Sequence, residues 1–373
     1  MASGRAIPSC PNTDLPRGRS ESRDREFHGK DDHVKVLFIG GTGNISTSVS
    51  RLCIQRGVEL FLLNRGMRMT DLPGATVLRG DLTKPDTLTA ILAGHRWDAV
   101  VNWIAFTETD VERDIALFRG RTGQYIFISS ASVYQKPPSH PVITESTPLC
   151  NPYWEYSRNK IACEERLNLA YRVEGFPVTI VRPSLTYDTV IPVAIGGWTE
   201  YTIIDRMKKG KSVIVHGDGT SLWTITHAED FAKGFVGLLG HQQATGHAFH
   251  ITSDEILTWN QIYQAVADAA GCELKAVHIP SDFIVRCDDS LTGTLLGDKA
   301  VSVIFDNSKI KRFVPGFVAT IPFHQGIQRT LAWFHDDPAR QIVNRDTDAL
   351  MDRIAGAYEK SALVGAPPST LTP

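Results

Sequence analysis

The sequence predicts an α/β protein built on a doubly wound parallel sheet, with a smaller C-terminal α/β lobe. Three observations predict it: short buried strands alternate with helical segments from Val34 to Val181, a glycine-rich turn closes the first strand, and the strands become shorter after Pro183. The 373 residues suffice for two domains, or for one large domain carrying an appended lobe. Apolar residues make up 42% and charged residues 21%, which argues against wholesale disorder, collagen-like repeats and coiled coil. Lys and Arg number 39 against 41 Asp and Glu, a net charge of −2. That balance lacks the electrostatic footprint of a protein living on nucleic acid or anionic lipid, although a local basic patch is compatible with it. Near-apolar stretches such as Ala99 to Phe106 fall far short of the roughly 20 residues needed to span a bilayer.

Residues 1–32 mix Arg, Ser, Pro, Gly and acids with almost no aliphatic side chains. They lack the apolar core of a signal peptide and the acid-poor character of a transit peptide, and are read as a disordered leader. The six cysteines (Cys10, Cys53, Cys150, Cys163, Cys272, Cys287) form no C-x-x-C pair, so they are read as reduced thiols of a cytoplasmic protein. The expected organisation is a nucleotide-binding domain over 33–185, a substrate lobe over 186–340 interleaved with it, and a C-terminal helix and frayed tail over 341–373.

Order begins at Val34, where V-K-V-L-F-I reads as a buried strand running into Gly40-Gly41-Thr42-Gly43. Ile45, Val49, Leu52 and Cys53 then recur at helical spacing, and Gly57 stops that helix. Strands follow at Val58–Leu63, Thr76–Leu78 and Asp98–Ile104, with helices at Pro85–Ala93 and Thr107–Phe118 between them. The strand Gln124–Ile128, a helix through Tyr156–Tyr171 and the strand Val178–Val181 continue the alternation, which implies right-handed crossovers. Beyond Pro183 come short strands at Val213–Val215, Trp223–Thr226 and Ala248–Ile251. Helices are expected at Ala228–Leu239, Trp259–Ala270, Phe323–His335 and Asp346–Tyr358.

The turn Gly40-Gly41-Thr42-Gly43-Asn44-Ile45-Ser46 stands at a strand-to-helix junction. Glycine there lets the backbone turn tightly and approach a pyrophosphate at the positive end of a helix, so a dinucleotide is the expected ligand; a plain tight turn is the alternative. The second strand ends in Asn64-Arg65-Gly66, where an NAD-binding chain carries a carboxylate for the ribose. Arg65, helped by Arg68, offers a 2′-phosphate a guanidinium instead, which favours NADP over NAD; a merely solvated Arg65 is the alternative. In Gly80-Asp81-Leu82, Asp81 is placed to accept from an adenine amine, or else to cap the following helix.

Tyr156 and Lys160 stand four apart, on one face of one helix. A tyrosine is a poor base at neutral pH, but a nearby ammonium stabilises its phenolate. Tyr153 has Ser157 at the same spacing and gains no such help. Ser129-Ser130-Ala131-Ser132-Val133-Tyr134 follows a strand directly, so its hydroxyls emerge at the carboxyl edge of the sheet, where open α/β folds bind ligands. A metal site among His216, His227, His247 and His250 is not expected, because their spacing fits no ligand pattern on one element.

With the glycine turn, the serine edge and the tyrosine–lysine helix in that order, the sequence resembles the extended short-chain dehydrogenase/reductase superfamily, in its branch of sugar-nucleotide epimerases and dehydratases. The resemblance runs from about Val34 to Pro338, through G-G-T-G-N-I-S, I-S-S-A-S-V-Y, Y-S-R-N-K with Glu164 after it, V-R-P-S at Val181–Ser184, and G-D-G-T…H-A-E-D-F-A at Gly217–Ala232. It implies that Ser130 orients the substrate, with Ser129 and Ser132 as alternatives, that Tyr156 is the acid/base, and that Lys160 holds the nicotinamide ribose and tunes Tyr156. It also implies that Asn102 to Ala105, Pro183 and Ser184 border the cofactor and that Ala131 borders the substrate. A two-fold homodimer through the helices starting near Thr107 and Pro152 follows by the same analogy.

One departure stands out. Members that bind a sugar-nucleotide diphosphate usually carry an arginine just past G-D-G-T, and here Ser221-Leu222-Trp223-Thr224 follows. Trp223 is then plain core or a stacking wall for a base or sugar, with Arg286 and Arg312 as the remaining candidate phosphate partners. The expected activity is NAD(P)-dependent epimerisation of a nucleotide- or nucleoside-linked sugar. A dehydratase needs a further acid and base beside the serine, where Ala131-Ser132 stand, so dehydratase, simple dehydrogenase or reductase are the alternatives. A cofactor-sensing or RNA-associated relative on the same fold is the competing class.

Overall fold

Val36, Leu37, Phe38 and Ile39 are all fully buried, so β1 (Lys35–Ile39) runs through a sheet covered on both faces, as parallel strands require. The computed structural model describes residues 34–66 and 72–364; the expected leader, the end of the tail, Cys10 and Arg68 lie outside the described residues. From β1 the chain continues through α1 (Ser46–Gln55), β2 (Glu59–Asn64), β3 (Thr76–Arg79), α2 (Pro85–Ile91), β4 (Ala99–Asn102), α3 (Glu108–Phe118) and β5 (Tyr125–Ile128). After a short β6 (Val142–Ile143) come the long α4 (Glu155–Glu174), which ends on the left-handed Gly175, then β7 (Val178–Pro183) and β8 (Leu185–Tyr187).

The second half holds α5 (Thr202–Lys208), β9 (Val213–His216), β10 (Leu222–Trp223), β11 (Ile225–His227), α6 (Ala228–Val236) and β12 (Ala248–Ile251). Then follow β13 (Leu257–Thr258), α7 (Trp259–Ala269), β14 (Ala276–Ile279), α8 (Ser281–Cys287) and a single turn α9 (Thr292–Thr294) that widens into a π-helical turn, Leu295–Lys299. The series closes with β15 (Ile304–Phe305), α10 (Ser308–Phe313), α11 (Phe323–His335) and α12 (Arg345–Val364).

The main sheet has seven parallel strands in the order β12-β7-β5-β4-β1-β2-β3. Alternation along each strand divides its core in two. Val36, Phe38, Val101 and Ile126 pack with α1 and α6 on one face, and Leu37, Ile39, Val100 and Phe127 with α3 and α4 on the other. A third cluster, built largely from residues beyond Tyr187, gathers Ile203, Trp259, Ile279, Phe334 and Ile354.

Two expectations need correction. Ala248–Ile251, placed with the short strands after Pro183, pairs in parallel with β7 as an edge of the large sheet, because its fully buried Phe249 and Ile251 complete that sheet's core. Trp223–Thr226 is not one strand: β10 pairs antiparallel with β13 while β11 runs parallel to β8, and the chain changes partner at Thr224. Among the described residues no helix is long and apolar enough to cross a membrane.

Candidate active site

Strand ends of the main sheet converge on a cleft of about 850 Å³. Its floor begins at the glycine turn, where Gly40 and Gly41 take φ of +91° and +94° and a Cβ on Gly41 would meet Leu62 Cδ2 at 2.9 Å. Ser46, the serine at the last small position of the turn, accepts from the Gly43 backbone N–H at 2.8 Å. Asn44 ties the turn to β8: its amide donates to the Thr186 carbonyl at 2.9 Å, and its oxygen accepts from Asp188 N–H at 3.1 Å. Gly40, Thr42, Gly43, Asn44 and Ile45 all line the cleft, together with Pro183 and Ser184 from β7 and its end.

The serine edge and the tyrosine helix meet across this cleft. Ser130 Oγ lies 2.9 Å from Ser132 Oγ, which in turn accepts from Ser157 at 2.7 Å. Ser129 Oγ is buried without a partner among the described residues, as is Trp103 Nε1, and both residues line the cleft. These unmatched polar atoms and the left-handed glycines fit a bound dinucleotide, which would bring polar edges to a surface that otherwise leaves them unpaired. The Tyr156 ring lies between Trp154 and Phe106, with centroids 5.1 and 6.3 Å away. Burial pushes its phenol above the usual tyrosine range, while a hydrogen bond with Ser130 pulls it back and the Asp298 carboxylate pushes it further up.

Lys160, expected to tune Tyr156, reaches two backbone carbonyls from its place beside the ring. Its ammonium donates to the backbone carbonyls of Ala105 and Ile128 at 2.6 and 2.7 Å and lies 5.7 Å from the Tyr156 ring centre. Burial brings Lys160 itself down to about 8.

Other expected residues lie apart from the cleft lining. Asn102 turns back into the protein, its amide donating to Asp114 and its oxygen accepting from Ile104 N–H at 2.8 Å, while Ala105 is fully buried and offers its carbonyl to Lys160. Their neighbours Trp103, Ile104 and Phe106 line the cleft instead. Asn64, Arg65, Asp81 and Leu82 sit together at the far end of β2 and β3: Asn64 Oδ1 accepts from Gly66 N–H at 2.9 Å, and Asp81 accepts from Thr83 at 3.0 and 2.8 Å. Those bonds from Thr83 hold the Asp81 carboxyl low, with Arg65 adding to the effect. Sequence reasoning missed Arg79, which pairs in register with Asn64 and whose side chain runs beside Gly66.

At the opposite end stand Ala131, Trp223, Trp198, Lys136, Asp298 and Lys299. Trp223 is 2% exposed, packs 5.5 Å from Trp259 and lines the cleft, so it is both core and wall. Trp198 is a cleft-lining tryptophan in the left-handed region, φ +65°, a cost of about 1–3 kcal/mol. Neither it nor the lysines carried a local sequence signal. Arg286, paired with Asp282 at 3.2 Å, and Arg312 do not line the cleft.

The four histidines go to separate tasks. His216 Nε2 meets the Lys299 carbonyl, His227 accepts from Glu229 N–H at the start of α6, His250 bridges Tyr134 and the Asp306 carbonyl, and His247 packs on Phe313.

The sequence profile of the NAD dependent epimerase/dehydratase family matches residues 36–252. The 2'-dehydrokanamycin reductase of Streptomyces kanamyceticus is 26% identical over 297 residues, which cover 77% of this chain and 81% of that one. The chloroplast stem-loop binding protein of 41 kDa b of Arabidopsis thaliana is 26% identical over 265 residues, 67% of each chain. A UDP-glucose 4-epimerase from Bifidobacterium longum, solved in complex with NAD+ and UDP, superposes with a TM-score of 0.65 at 17% identity, covering 82% of this chain and 99% of that one.

Proposed function

Since the chain belongs to the NAD dependent epimerase/dehydratase family, we propose that it epimerises a nucleotide- or nucleoside-linked sugar through transient oxidation of one hydroxyl. The observation that carries this reading is the meeting of Ser130, Tyr156 and Lys160 in one cleft with the glycine turn. A nicotinamide dinucleotide, when bound, supplies hydride acceptance and return. Thr42 to Ile45 and the first turn of α1 would hold its phosphates, and Ile104, Pro183 and Ser184 would border its reactive ring.

The chain's own part is proton management. Ser130 donates to the substrate oxygen and fixes it beside Tyr156, whose phenolate form takes the hydroxyl proton on oxidation and whose phenol gives it back on reduction. Lys160 holds the Ala105 and Ile128 carbonyls in place and keeps a positive charge near the phenol. Asp298 is the one carboxylate among the described residues lining the cleft, and both its oxygens face lysines. That leaves no free acid and base pair beside Ala131 and Ser132 for loss of water, which favours epimerisation over dehydration. Simple reduction of a ketone is the second reading, favoured by the likeness to a protein named as a reductase.

NADP is the favoured cofactor, because Arg65 and Arg79 flank the end of β2 where a 2′-phosphate would lie. The same reading includes a homodimer through α3 and α4, where Leu169, Tyr171 and Val173 stay exposed, and a cytoplasmic location. No nucleic-acid partner is proposed, since a net charge of −2 offers no cationic surplus. The test is incubation of the purified chain with sugars, nucleosides and nucleotide sugars in the presence of NAD or NADP. Product of unchanged mass and altered stereochemistry supports epimerisation, net cofactor turnover supports the reductase, and neither outcome across the panel overturns both.

A further inference from the structure

Lys136 and Lys299 come from distant parts of the chain and share a single counter-ion at the substrate end of the cleft. Lys136 lies just past the serine edge, Lys299 on the π-helical turn, and pairing of β15 with β6 draws those segments together. Asp298 stands between them, with Oδ1 at 3.8 Å from the Lys136 ammonium and Oδ2 at 3.1 Å from that of Lys299. Both lysines are buried, at 4% and 7% exposure. Among the described residues Lys136 makes one hydrogen bond, to the Asp298 backbone carbonyl at 3.2 Å, so an ammonium with three donors is left under-matched there. Burial pushes its pKa down; the Asp298 carboxylate pushes it part of the way back and the neighbouring Lys299 adds to the fall, so the one counter-ion does not make good the desolvation.

Burying an ammonium in such surroundings costs several kcal/mol unless a partner supplies the missing charge. Two cations against one carboxylate leave a surplus of one positive charge. The Lys136 ammonium lies 5.6 Å from the ring centre of Trp223, whose indole N–H is buried without a partner among the described residues. A flat or ring-shaped group beside Trp223 that carries an oxyanion would satisfy the ammonium. The asparagine link from Asn151 to the Ser132 and Gly297 carbonyls, at 2.8 and 2.7 Å, fixes this cluster against the serine edge. The oxyanion would therefore lie close to the oxygen held by Ser130.

We propose that Lys136 and Lys299, held apart by Asp298, form an oxyanion subsite that selects substrates bearing a single carboxylate or phosphate beside the reacting ring. The proposal rests on the sugar-oxidation reading for the identity of the ring, and it explains how the chain manages without an arginine past G-D-G-T. Lysine presents a compact point charge suited to one anionic group, where arginine presents a fork suited to a diphosphate. It also excludes an amine at this place, because both oxygens of Asp298 already face ammonium groups.

The experiment measures dissociation constants of glucose, glucuronate and glucose 1-phosphate on the NADP-loaded protein by ligand-observed NMR. Tighter binding of glucuronate than glucose, by about tenfold to a hundredfold, identifies a carboxylate subsite, and the same gain for glucose 1-phosphate identifies a phosphate subsite. Lys136→Gln should abolish that gain and Lys136→Arg restore part of it, with NADP affinity reporting that the fold is intact. Should Lys136→Gln fail to fold, Lys299→Gln reads the same loss from the other side of Asp298. Equal binding of all three ligands, or a preference that survives both glutamine variants, overturns the proposal. Because this readout is binding, a chain that selects anions through Lys136 but turns over no sugar would refute the epimerase reading alone.

Discussion

The Lys160 ammonium donates a 2.7 Å hydrogen bond to the carbonyl of Ile128, the last residue of β5. A second bond, to Ala105, lets one side chain clamp the loop after β4 to the edge of β5, so that the lysine is structural before it is electrostatic. The clamp has a measurable pH signature. Its pKa of about 8 lies below the ordinary 10.5, so between those values the unfolded chain holds a proton that the folded chain has released. Stability should therefore rise with pH across that window, by an amount on the order of 3 kcal/mol for this group alone. Urea denaturation of wild type and Lys160→Met at several pH values isolates it: the difference between the two curves should change between pH 8 and 10.5, and a constant difference would show that Lys160 titrates normally.

Tyr156→Phe keeps the ring between Trp154 and Phe106 while removing the oxygen that the mechanism needs. Turnover should fall by about 10²–10⁴ with cofactor affinity close to that of wild type. Near wild-type turnover would move the acid/base role elsewhere.

Glu164 and Arg182 form a bidentate pair at 2.9 and 2.6 Å, buried between α4 and β7. Each belongs to a different motif that the sequence displays, and the pair explains why the two occur together. Glu164→Gln leaves the guanidinium without its counter-charge and should cost about 3–5 kcal/mol, read from the urea midpoint. A loss below about 1 kcal/mol would mean that the Tyr134 ring, 4.8 Å from the guanidinium, and the Glu145 carbonyl suffice to hold it.

What was legible in the sequence was local. Gly40 to Ser46 and the pair Tyr156 and Lys160 lie within single turns, where spacing fixes geometry. Lys136 and Asp298 are 162 residues apart and meet only because β15 pairs with β6, a two-residue contact that leaves no periodic trace. Asn102 and its neighbours illustrate a finer limit. The strand reads as running to Ile104 but ends at Asn102, and which side chains turn toward the cleft depends on the buried Asp114, whose hold on Asn102 comes from α3. Ala248–Ile251 reads as a short strand from its own residues, and only the open edge of β7 makes it part of the main sheet.

Arg65→Ala should weaken NADP by about tenfold to a hundredfold while leaving NAD nearly unchanged, the loss expected of one charge-assisted pair of about 1.5–3 kcal/mol. Arg79→Ala should act in the same direction, because its side chain runs beside Gly66 at the same strand end. Titration of both cofactors onto both variants decides the matter, and equal weakening of NAD and NADP would make the arginines merely structural.

Trp223 tests the departure from the usual diphosphate pocket. Its ring packs on Trp259 and lines the cleft, so Trp223→Ala removes core as well as wall, and a loss of stability alone would say nothing about substrate. The informative comparison is with Trp223→Phe, which keeps a stacking face and most of the buried volume. If a base or sugar stacks there, the alanine variant should raise KM by an amount equivalent to about 1–3 kcal/mol, taking base stacking in single-strand binders as the analogue. The phenylalanine variant should recover most of that loss. Efficient turnover of a UDP-, GDP- or dTDP-sugar with KM unchanged in both variants would return the substrate to the ordinary diphosphate class, with its phosphates held by residues other than this wall.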